Sequence, residues 1–320
     1  MSRLGRILII KPSSLGDVVH GLQVAAVLRR HIPEIVIDWV VRDCFTEVVA
    51  ASGLVDEIFE FHRGRGLVEF IRLIAAIRKR RYDYVLDMQG LARSAVMAFF
   101  SKAGVKIGRS DAREFSWLAY GKKIPLPRKN FPHAIDILLQ FLPEFGVDPR
   151  LDAGLNFSTK PSVGVSELFH GDGGQKPSIL LFPESRRREK EWPYFAQLTV
   201  ALANKFTKFQ VIISAKNSFN VGESFVNVKN LSGRTSIGDV IFLIQRGRLV
   251  IANDSAPVHL AAAIGIPVLA LFGPTDPGKF GPYPSGGKNN FVLRAVDGDM
   301  SSLAVDAVLD KIVQILSPKM

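Results

Sequence analysis

Two stretches in the second half of this 320-residue chain put ionisable side chains beside serine, glycine and proline, at points where an apolar run gives way to a helical pattern. One is Ile251-Ala-Asn-Asp-Ser-Ala-Pro-Val-His-Leu260, followed by Ala-Ala-Ala-Ile-Gly-Ile-Pro and by Leu271-Phe-Gly-Pro-Thr-Asp-Pro277. A strand pattern ends at Ala252, and Pro257 suits a first helical turn, where its missing N–H would be unpaired anyway. Amides around Ser255 to Val258 are then open, and with the helix dipole they form an anion site fitted to phosphates. A purely structural account makes Asp254 or Ser255 a helix cap and His259 a satisfied core residue. A functional one has His259 donate to a phosphate or sugar oxygen. The other stretch is Ser185-Arg-Arg-Arg-Glu-Lys190-Glu-Trp-Pro193, behind an apolar run ending at Phe182. Its four cations predict phosphate again, with Lys190 best placed to neutralise a leaving diphosphate; a solvated charge run is the alternative.

The first half offers Lys11-Pro-Ser-Ser14-Leu-Gly16-Asp17-Val18, which contains neither G-x-G-x-x-G nor G-x-x-x-x-G-K-[ST] and so counts against a dehydrogenase or a kinase. Gly16 allows a tight turn, and Asp17 sits where a helix N-terminus keeps a carboxylate ionised. Such a carboxylate can take a proton from an attacking hydroxyl late in a displacement; as a lone residue it would equally be a cap. At a further strand end, Asp87-Met-Gln89-Gly90-Leu-Ala-Arg93-Ser94 brings Gln89, Gly90 and Arg93 forward. His62, Arg63 and Arg65, with Arg109, Arg113 and Arg128, could form a wall for an acidic acceptor.

The elements that must hold these residues alternate throughout. Ile7–Ile10, Val36–Val41 and Tyr84–Asp87 read as strands, and Asp17–His31 and Leu67–Arg80 as helices. The pattern restarts with Ser178–Phe182, Pro193–Lys205, Gln210–Ser214, Ile237–Gln245, Leu249–Ala252, Ala256–Ile264 and Pro267–Phe272, and closes with a helix over 302–316. This is an α/β chain with two doubly wound domains, 1–157 and 177–320. Residues 158–176, rich in Ser, Gly, Pro and Lys and including Gly171-Asp172-Gly173-Gly174, read as a linker or surface loop. Ligands sit at the C-terminal ends of such strands, so two domains of this kind facing one another would bind two substrates across a cleft.

Composition fits this picture: 47 % hydrophobic and 22 % charged residues exclude a disordered or coiled-coil chain. The single cysteine, Cys44, excludes a disulfide framework or a cysteine-based metal cluster and points to a reducing compartment. The start of the chain lacks an apolar signal segment, and Leu249–Phe272 is too interrupted to span a membrane, so a cytoplasmic protein is expected. The net charge of +11 is spread over both halves, 23 basic against 17 acidic residues up to Phe157 and 18 against 13 after it. With no nucleic-acid motif, this makes a nucleic-acid partner a poor fit. Locally, Lys102–Lys129 holds eight basic and two acidic residues, either an anion-docking region or a solvated face.

Taken together, KPSSLGDVVH, DMQGLARS, His133-Ala-Ile-Asp136, EKEWP, LSGRTS (Leu231–Ser236) and NDSAPVHLAAAIGIPVLALFGPTDP resemble, in order, the motifs of glycosyltransferase family 9, the ADP-heptose:lipopolysaccharide heptosyltransferases. DMQGLARS looks closest to the branch that adds the first heptose, with Arg93 in place of a lysine. The resemblance covers nearly the whole chain and implies the GT-B architecture, two facing Rossmann-like domains with an interdomain cleft. Carried over by motif, Asp17 corresponds to the general base and Lys190 to the lysine on the donor diphosphate. Asp254, Ser255, Ala256 and His259 match the loop and helix start that hold donor sugar and phosphates, and Ser185 and Thr235 line the nucleotide pocket. Ser14, Gly16, Gln89, Arg93, His62, Arg63, Arg109 and Arg113 fall on the acceptor side. Ala256 stands where the family usually has Gly, which matters if φ is positive there. Arg186–Arg188 replace small or acidic residues.

The activity implied is an inverting single displacement in which ADP leaves, with no cofactor and no obligatory metal; Asp297-Gly-Asp299 is read as a loop. The implied acceptor, an anionic Kdo-lipid A, would bring the protein peripherally to the cytoplasmic face of the inner membrane. The amphipathic stretch Leu67–Tyr82 would rest there through Arg72, Arg78, Lys79, Arg80 and Arg81. Transfer of a later heptose or another sugar, or a nucleotide-sugar epimerase of the same shape, are the alternatives.

Overall fold

Four consecutive aliphatic residues, Ile7 to Ile10, are completely buried, as expected of a strand covered on both faces in the middle of a parallel sheet. The computed structural model describes residues 5–128, 132–169 and 176–317, and the chain divides into two compact units, Met1–Ser158 and Thr159–Met320. The first unit runs β1 (Arg6–Ile10), α1 (Leu15–His31), β2 (Val36–Arg42), α2 (Thr46–Ala51), β3 (Glu57–Phe61), α3 (Gly66–Arg78), β4 (Arg81–Asp87), α4 (Ala92–Phe100), β5 (Lys102–Arg109), β6 (Lys122–Ile124) and α5 (Ala134–Leu139). Its strands are all parallel, in the order β3-β2-β1-β4-β5-β6.

The second unit runs α6 (Val163–Ser166), β7 (Ser178–Phe182), α7 (Phe195–Lys205), β8 (Gln210–Ile213), β9 (Val228–Asn230), α8 (Ile237–Arg246), β10 (Gly247–Asn253), α9 (Ala256–Ile264), β11 (Val268–Phe272), α10 (Pro277–Phe280), β12 (Asn290–Arg294) and α11 (Val305–Leu316). Its order, β12-β11-β10-β7-β8-β9, repeats the same doubly wound pattern in parallel. Each unit closes its own core. Leu8, Ile10, Val40, Phe59, Leu73 and Ile77 pack on one face of the first sheet, and Ile179, Leu181, Trp192, Phe195, Leu198 and Val308 on one face of the second. Parallel strands bring all their C-terminal ends to one edge of a sheet, and there the ionisable residues gather.

Several expectations change. Within the stretch read as a linker, Val165 is buried, the Phe169 ring meets Phe242 of α8 edge-on, and the Ser162 amide donates to Asp239, so residues 159–169 pack on the second unit. Gly171–Gly174 lie outside the described residues. The last helix begins at Val305 rather than 302, after a short turn capped by Asp299. Gly16 makes no tight turn: it is a buried helical residue of α1 without positive φ.

The basic run from Lys102 is spread over β5, the 115–119 turn and the edge strand β6, and three of its cations have partners: Lys106 on the Phe99 carbonyl, Lys122 on Glu144 at 2.6 Å, and Arg109 on Asp111 through two bonds of 2.8 and 2.7 Å. Lysines on an edge strand also discourage pairing with another chain. Lys129 is outside the described residues. Near the end of β5, a Cβ on Gly108 would come within 2.1 Å of the Tyr120 ring, whose hydroxyl donates to Asp87 at 2.7 Å.

Candidate active site

In the first unit, the chain leaves β1 at Lys11 and enters α1 three residues after Pro12. Ser14 caps α1, and Asp17 in its first turn accepts two hydrogen bonds on one carboxylate oxygen, from the Ser14 amide at 3.0 Å and the Ser14 hydroxyl at 2.7 Å. The other oxygen lies 3.5 Å from the Lys11 ammonium. The lysine is buried at 2 % exposure while the aspartate keeps 40 %, so the pair presents its carboxylate. Burial pushes Asp17 towards the neutral form, but the Lys11 charge and the Ser14 hydrogen bonds prevail and hold its carboxyl well below the usual carboxylate range. Burial likewise lowers Lys11, with Asp17 opposing and Arg109 adding to the shift.

Beside this pair, Asp87 ends β4 fully buried, and burial raises its pKa against hydrogen bonds from the Gly90 amide (3.0 Å), the Tyr120 hydroxyl (2.7 Å) and the Gln89 amide (2.9 Å). These bonds shape the loop to α4. Gly90 adopts φ of +70° there, a conformation glycine takes without strain. The loop brings Gln89 Oε1 within 3.4 Å of the Ser13 amide. A pocket of about 450 Å³ opens at the same edge, lined by Ser13, Gln89, Arg42, Arg63, Arg93 and Glu114 over a floor that includes Phe61, Phe70 and Met97. Its three guanidinium groups outnumber the one carboxylate, and Glu114 is already engaged by the Ala92 amide at 3.0 Å. Among the described residues, the buried Arg42 Nε has no hydrogen-bond partner. A carboxylate or phosphate would satisfy it.

Of the residues expected on the acceptor side, Gln89, Arg63 and Arg93 line this pocket; Ser14, which follows its Ser13 wall in the chain, and the buried Gly16 of α1 do not. His62, Arg109 and Arg113 are not among its lining residues. His62 Nδ1 is 3.0 Å from Asp43 and its Nε2 3.6 Å from Glu60, while Arg109 is committed to Asp111. Arg113 is exposed, its amide held by the Gly90 carbonyl at 2.9 Å. Arg42 and Glu114 escaped the sequence reading. A cation at the end of β2 was the available signal for Arg42; Glu114, in a loop with φ of +55°, carried none.

In the second unit, α9 starts at Ala256 behind Ser255, with proline in its first turn and no side chain capping it. Ala256 is helical rather than left-handed, so alanine fits where a glycine had been expected. Lys190 Nζ donates to Asp254 Oδ2 at 2.6 Å, and the Thr275 hydroxyl reaches the same oxygen at 2.6 Å. Ser185 Oγ donates to the Asp254 carbonyl at 3.2 Å, and its amide donates to Glu191 at 2.9 Å. Asn253 fixes the junction, accepting from the Trp192 amide at 2.9 Å and donating to the Pro183 carbonyl at 2.7 Å. Asp254 is 7 % exposed and Lys190 15 %.

Ser185, Lys190, Asp254 and Ser255 therefore meet at one strand–helix junction, with the half-buried His259 in the first turn of α9. Thr235 is placed beyond β8, paired with Ser214 at 2.9 Å. Arg186–Arg188 are exposed, and Arg187 pairs with Glu189, so Lys190 is the member of that basic run directed at Asp254. Thr275, inside a motif already noted, went unmarked. Asp299 caps a short turn through the Ser301 amide and hydroxyl.

Two doubly wound units with charged strand–helix junctions make this an α/β protein of the GT-B class. The sequence model of Glycosyltransferase family 9 (heptosyltransferase) matches residues 70–297, and the chain belongs to that family. It is 28 % identical to lipopolysaccharide heptosyltransferase 1 of Escherichia coli K12 over 96 % of this chain and 99 % of the relative. The enzyme of the same name from Pseudomonas aeruginosa is 28 % identical, covering 87 % and 81 %. Among solved structures, E. coli heptosyltransferase WaaC with ADP aligns with a TM-score of 0.80 at 26 % identity, over 97 % of this chain and 99 % of that one.

Proposed function

We propose that this heptosyltransferase acts in lipopolysaccharide core biosynthesis, moving a heptose from ADP-L-glycero-D-manno-heptose to a Kdo-bearing inner-core acceptor with inversion at the anomeric carbon. The observation that carries the reading is Asp17, a carboxylate held ionised and yet partly exposed beside a pocket of guanidinium groups. The acceptor hydroxyl oxygen bonds to the anomeric carbon as the bond from that carbon to the diphosphate oxygen breaks, and ADP leaves with the electron pair. The hydroxyl proton passes to Asp17. So acidic a carboxyl is a weak base towards a neutral alcohol, which places proton transfer late, when the oxygen has become acidic.

The leaving diphosphate already departs readily and needs charge stabilisation, supplied by Lys190 and the head of α9, where Pro257 has no N–H and the Val258 amide is bonded to the Ser255 carbonyl at 3.1 Å, leaving the Ser255 and Ala256 amides for the donor. Arg42, Arg63 and Arg93 would hold the acceptor's carboxylates. No obligatory metal enters this scheme. A lipid-anchored acceptor would bring the protein to the cytoplasmic face of the inner membrane; among the described residues no helix is long and apolar enough to cross it.

The test is ADP release from ADP-heptose, in EDTA, with a Kdo-terminated acceptor or with one already carrying its first heptose. Release that requires the Kdo-terminated acceptor is expected. Equal release without acceptor points to the epimerase alternative, and preference for the heptosylated acceptor points to a later transfer step.

A further inference from the structure

Fifteen large apolar side chains are exposed among the described residues, and eleven of them belong to the first unit. Nine of those eleven sit on one layer, formed by α3, α4 and the 115–119 turn. The inner side of this layer closes the core through Leu73, Ile77, Ala95 and Met97. A helix covering a core normally turns a polar face outward. Here Leu67, Val68 and Ile71 of α3 are 71, 63 and 55 % exposed, Val96, Phe99 and Phe100 project from α4, and Phe115 and Leu118 of the turn are 71 and 76 % exposed. The elements are tied together, since Arg78 at the end of α3 donates to the Phe100 carbonyl at 2.6 Å and Glu114 holds the first amide of α4.

The charges around this face are predominantly positive. Residues 63–79 hold five basic side chains against one acidic, and residues 92–118 five against two. The acidic ones are engaged: Glu69 by Arg72, Asp111 by Arg109, and Glu114 by the Ala92 amide. An apolar face with a cationic rim complements an anionic lipid surface, where side chains enter the headgroup boundary and the rim meets phosphates. The guanidinium pocket shares this layer, for Phe70 of α3 and Val96 of α4 are among its lining residues.

We propose that the outer face of α3, α4 and the 115–119 turn docks on an anionic bilayer, with its apolar side chains inserted at headgroup depth. This deepens the acceptor reading above, on which it rests only for the identity of the lipid-borne substrate. It also adds a second mode of contact to the expected one. Of the cations expected to touch the membrane, Arg72, Arg78 and Arg80 are engaged by Glu69, the Phe100 carbonyl and Glu57 while Lys79 and Arg81 are exposed, and the apolar side chains of α3 extend the contact.

The experiment is flotation of the full chain with vesicles of phosphatidylethanolamine and phosphatidylglycerol, and with phosphatidylcholine alone. The variant Leu67→Ser/Phe115→Asn/Leu118→Ser is run alongside; asparagine tolerates the φ of +58° at position 115. The wild type is expected to float with the anionic vesicles, and the variant to bind at least about tenfold more weakly, a factor that one inserted side chain of this size can supply. Activity on a deacylated, soluble acceptor should be equal in both proteins, with a deficit in the variant only on vesicle-embedded acceptor. Should the triple variant not fold, Leu118→Ser alone serves. Equal flotation of both proteins, no flotation of the wild type, or a wild-type dimer that the substitutions convert to monomer would each overturn the proposal, the last by giving the face to a second copy of the chain. Failure of both proteins on soluble acceptor would overturn the transferase reading and leave the vesicle result standing.

Discussion

Each unit carries a lysine–aspartate pair at the C-terminal edge of its sheet, and the two pairs are built in opposite senses. At the β1–α1 junction the lysine is buried and the aspartate keeps 40 % exposure; near the β10–α9 junction Asp254 is 7 % exposed and shared by Lys190 and Thr275. The first arrangement fixes a cation inside the protein and offers a carboxylate. The second buries the carboxylate and leaves the ammonium as its more accessible member. One topology, used twice, thus presents a carboxylate in one place and an ammonium in the other.

The comparison breaks first at Asp17. Asp17→Asn keeps the shape and removes the proposed base, so kcat should fall by about 10²- to 10⁴-fold, the usual contribution of a positioned base, while ADP binding measured by calorimetry stays unchanged. A loss of ADP affinity instead would mean that the two junctions are not divided by role. Lys190→Met should cost about 10²-fold in rate, as for other removed charge stabilisers, and should weaken ADP binding as well, since the same contact serves the ground state. If that variant lost rate alone, with ADP binding intact, Lys190 would act only as charge develops on the leaving group.

The smallest expected effect sharpens the first pair. Asp17 has a depressed pKa and in the proposed role acts deprotonated, so kcat/KM should hold steady as pH falls through the ordinary carboxylate range and drop only below it. Lys11→Met removes the nearby ammonium, lets the Asp17 pKa rise, and should move the acid limb of the profile to higher pH. The same sign applies to stability. The ionised Asp17 contributes fully above the unfolded-state carboxylate pKa, loses that contribution as pH falls through its folded value, and contributes less in the variant. An unmoved acid limb would mean that Lys11 does not set the state of Asp17.

How far the sequence reveals this arrangement depends on burial. β7 and α9 have the limits read from their residues, because an apolar strand between two turn signals, and a helix bounded by Pro257 and Gly265, leave little choice. The outer strands β3, β5, β6, β9 and β12 went unread: Glu57–Phe61 mixes charge with apolar residues on a partly buried strand, and Lys122–Ile124 and Val228–Asn230 are too short for any period to emerge. The site follows the same rule. Asp17, Lys190 and Asp254 stood out because turn-forming residues mark their strand–helix junctions. Arg42 ends a strand with no such mark, and His62 was grouped with Arg63 by sequence alone, although Asp43 takes its ring. Sequence adjacency carries no information about which carboxylate arrives from another strand.

The missing side chain at Gly108 reaches well past its own strand. Any substituent there would displace the Tyr120 ring, and with it a hydroxyl that helps hold Asp87 and, through Asp87, the amides of Gln89 and Gly90. An inert position on a strand is thereby a keyway for the pocket's loop. Substitutions at Gly108 would reshape the guanidinium-lined pocket in a chain with every ionisable group intact.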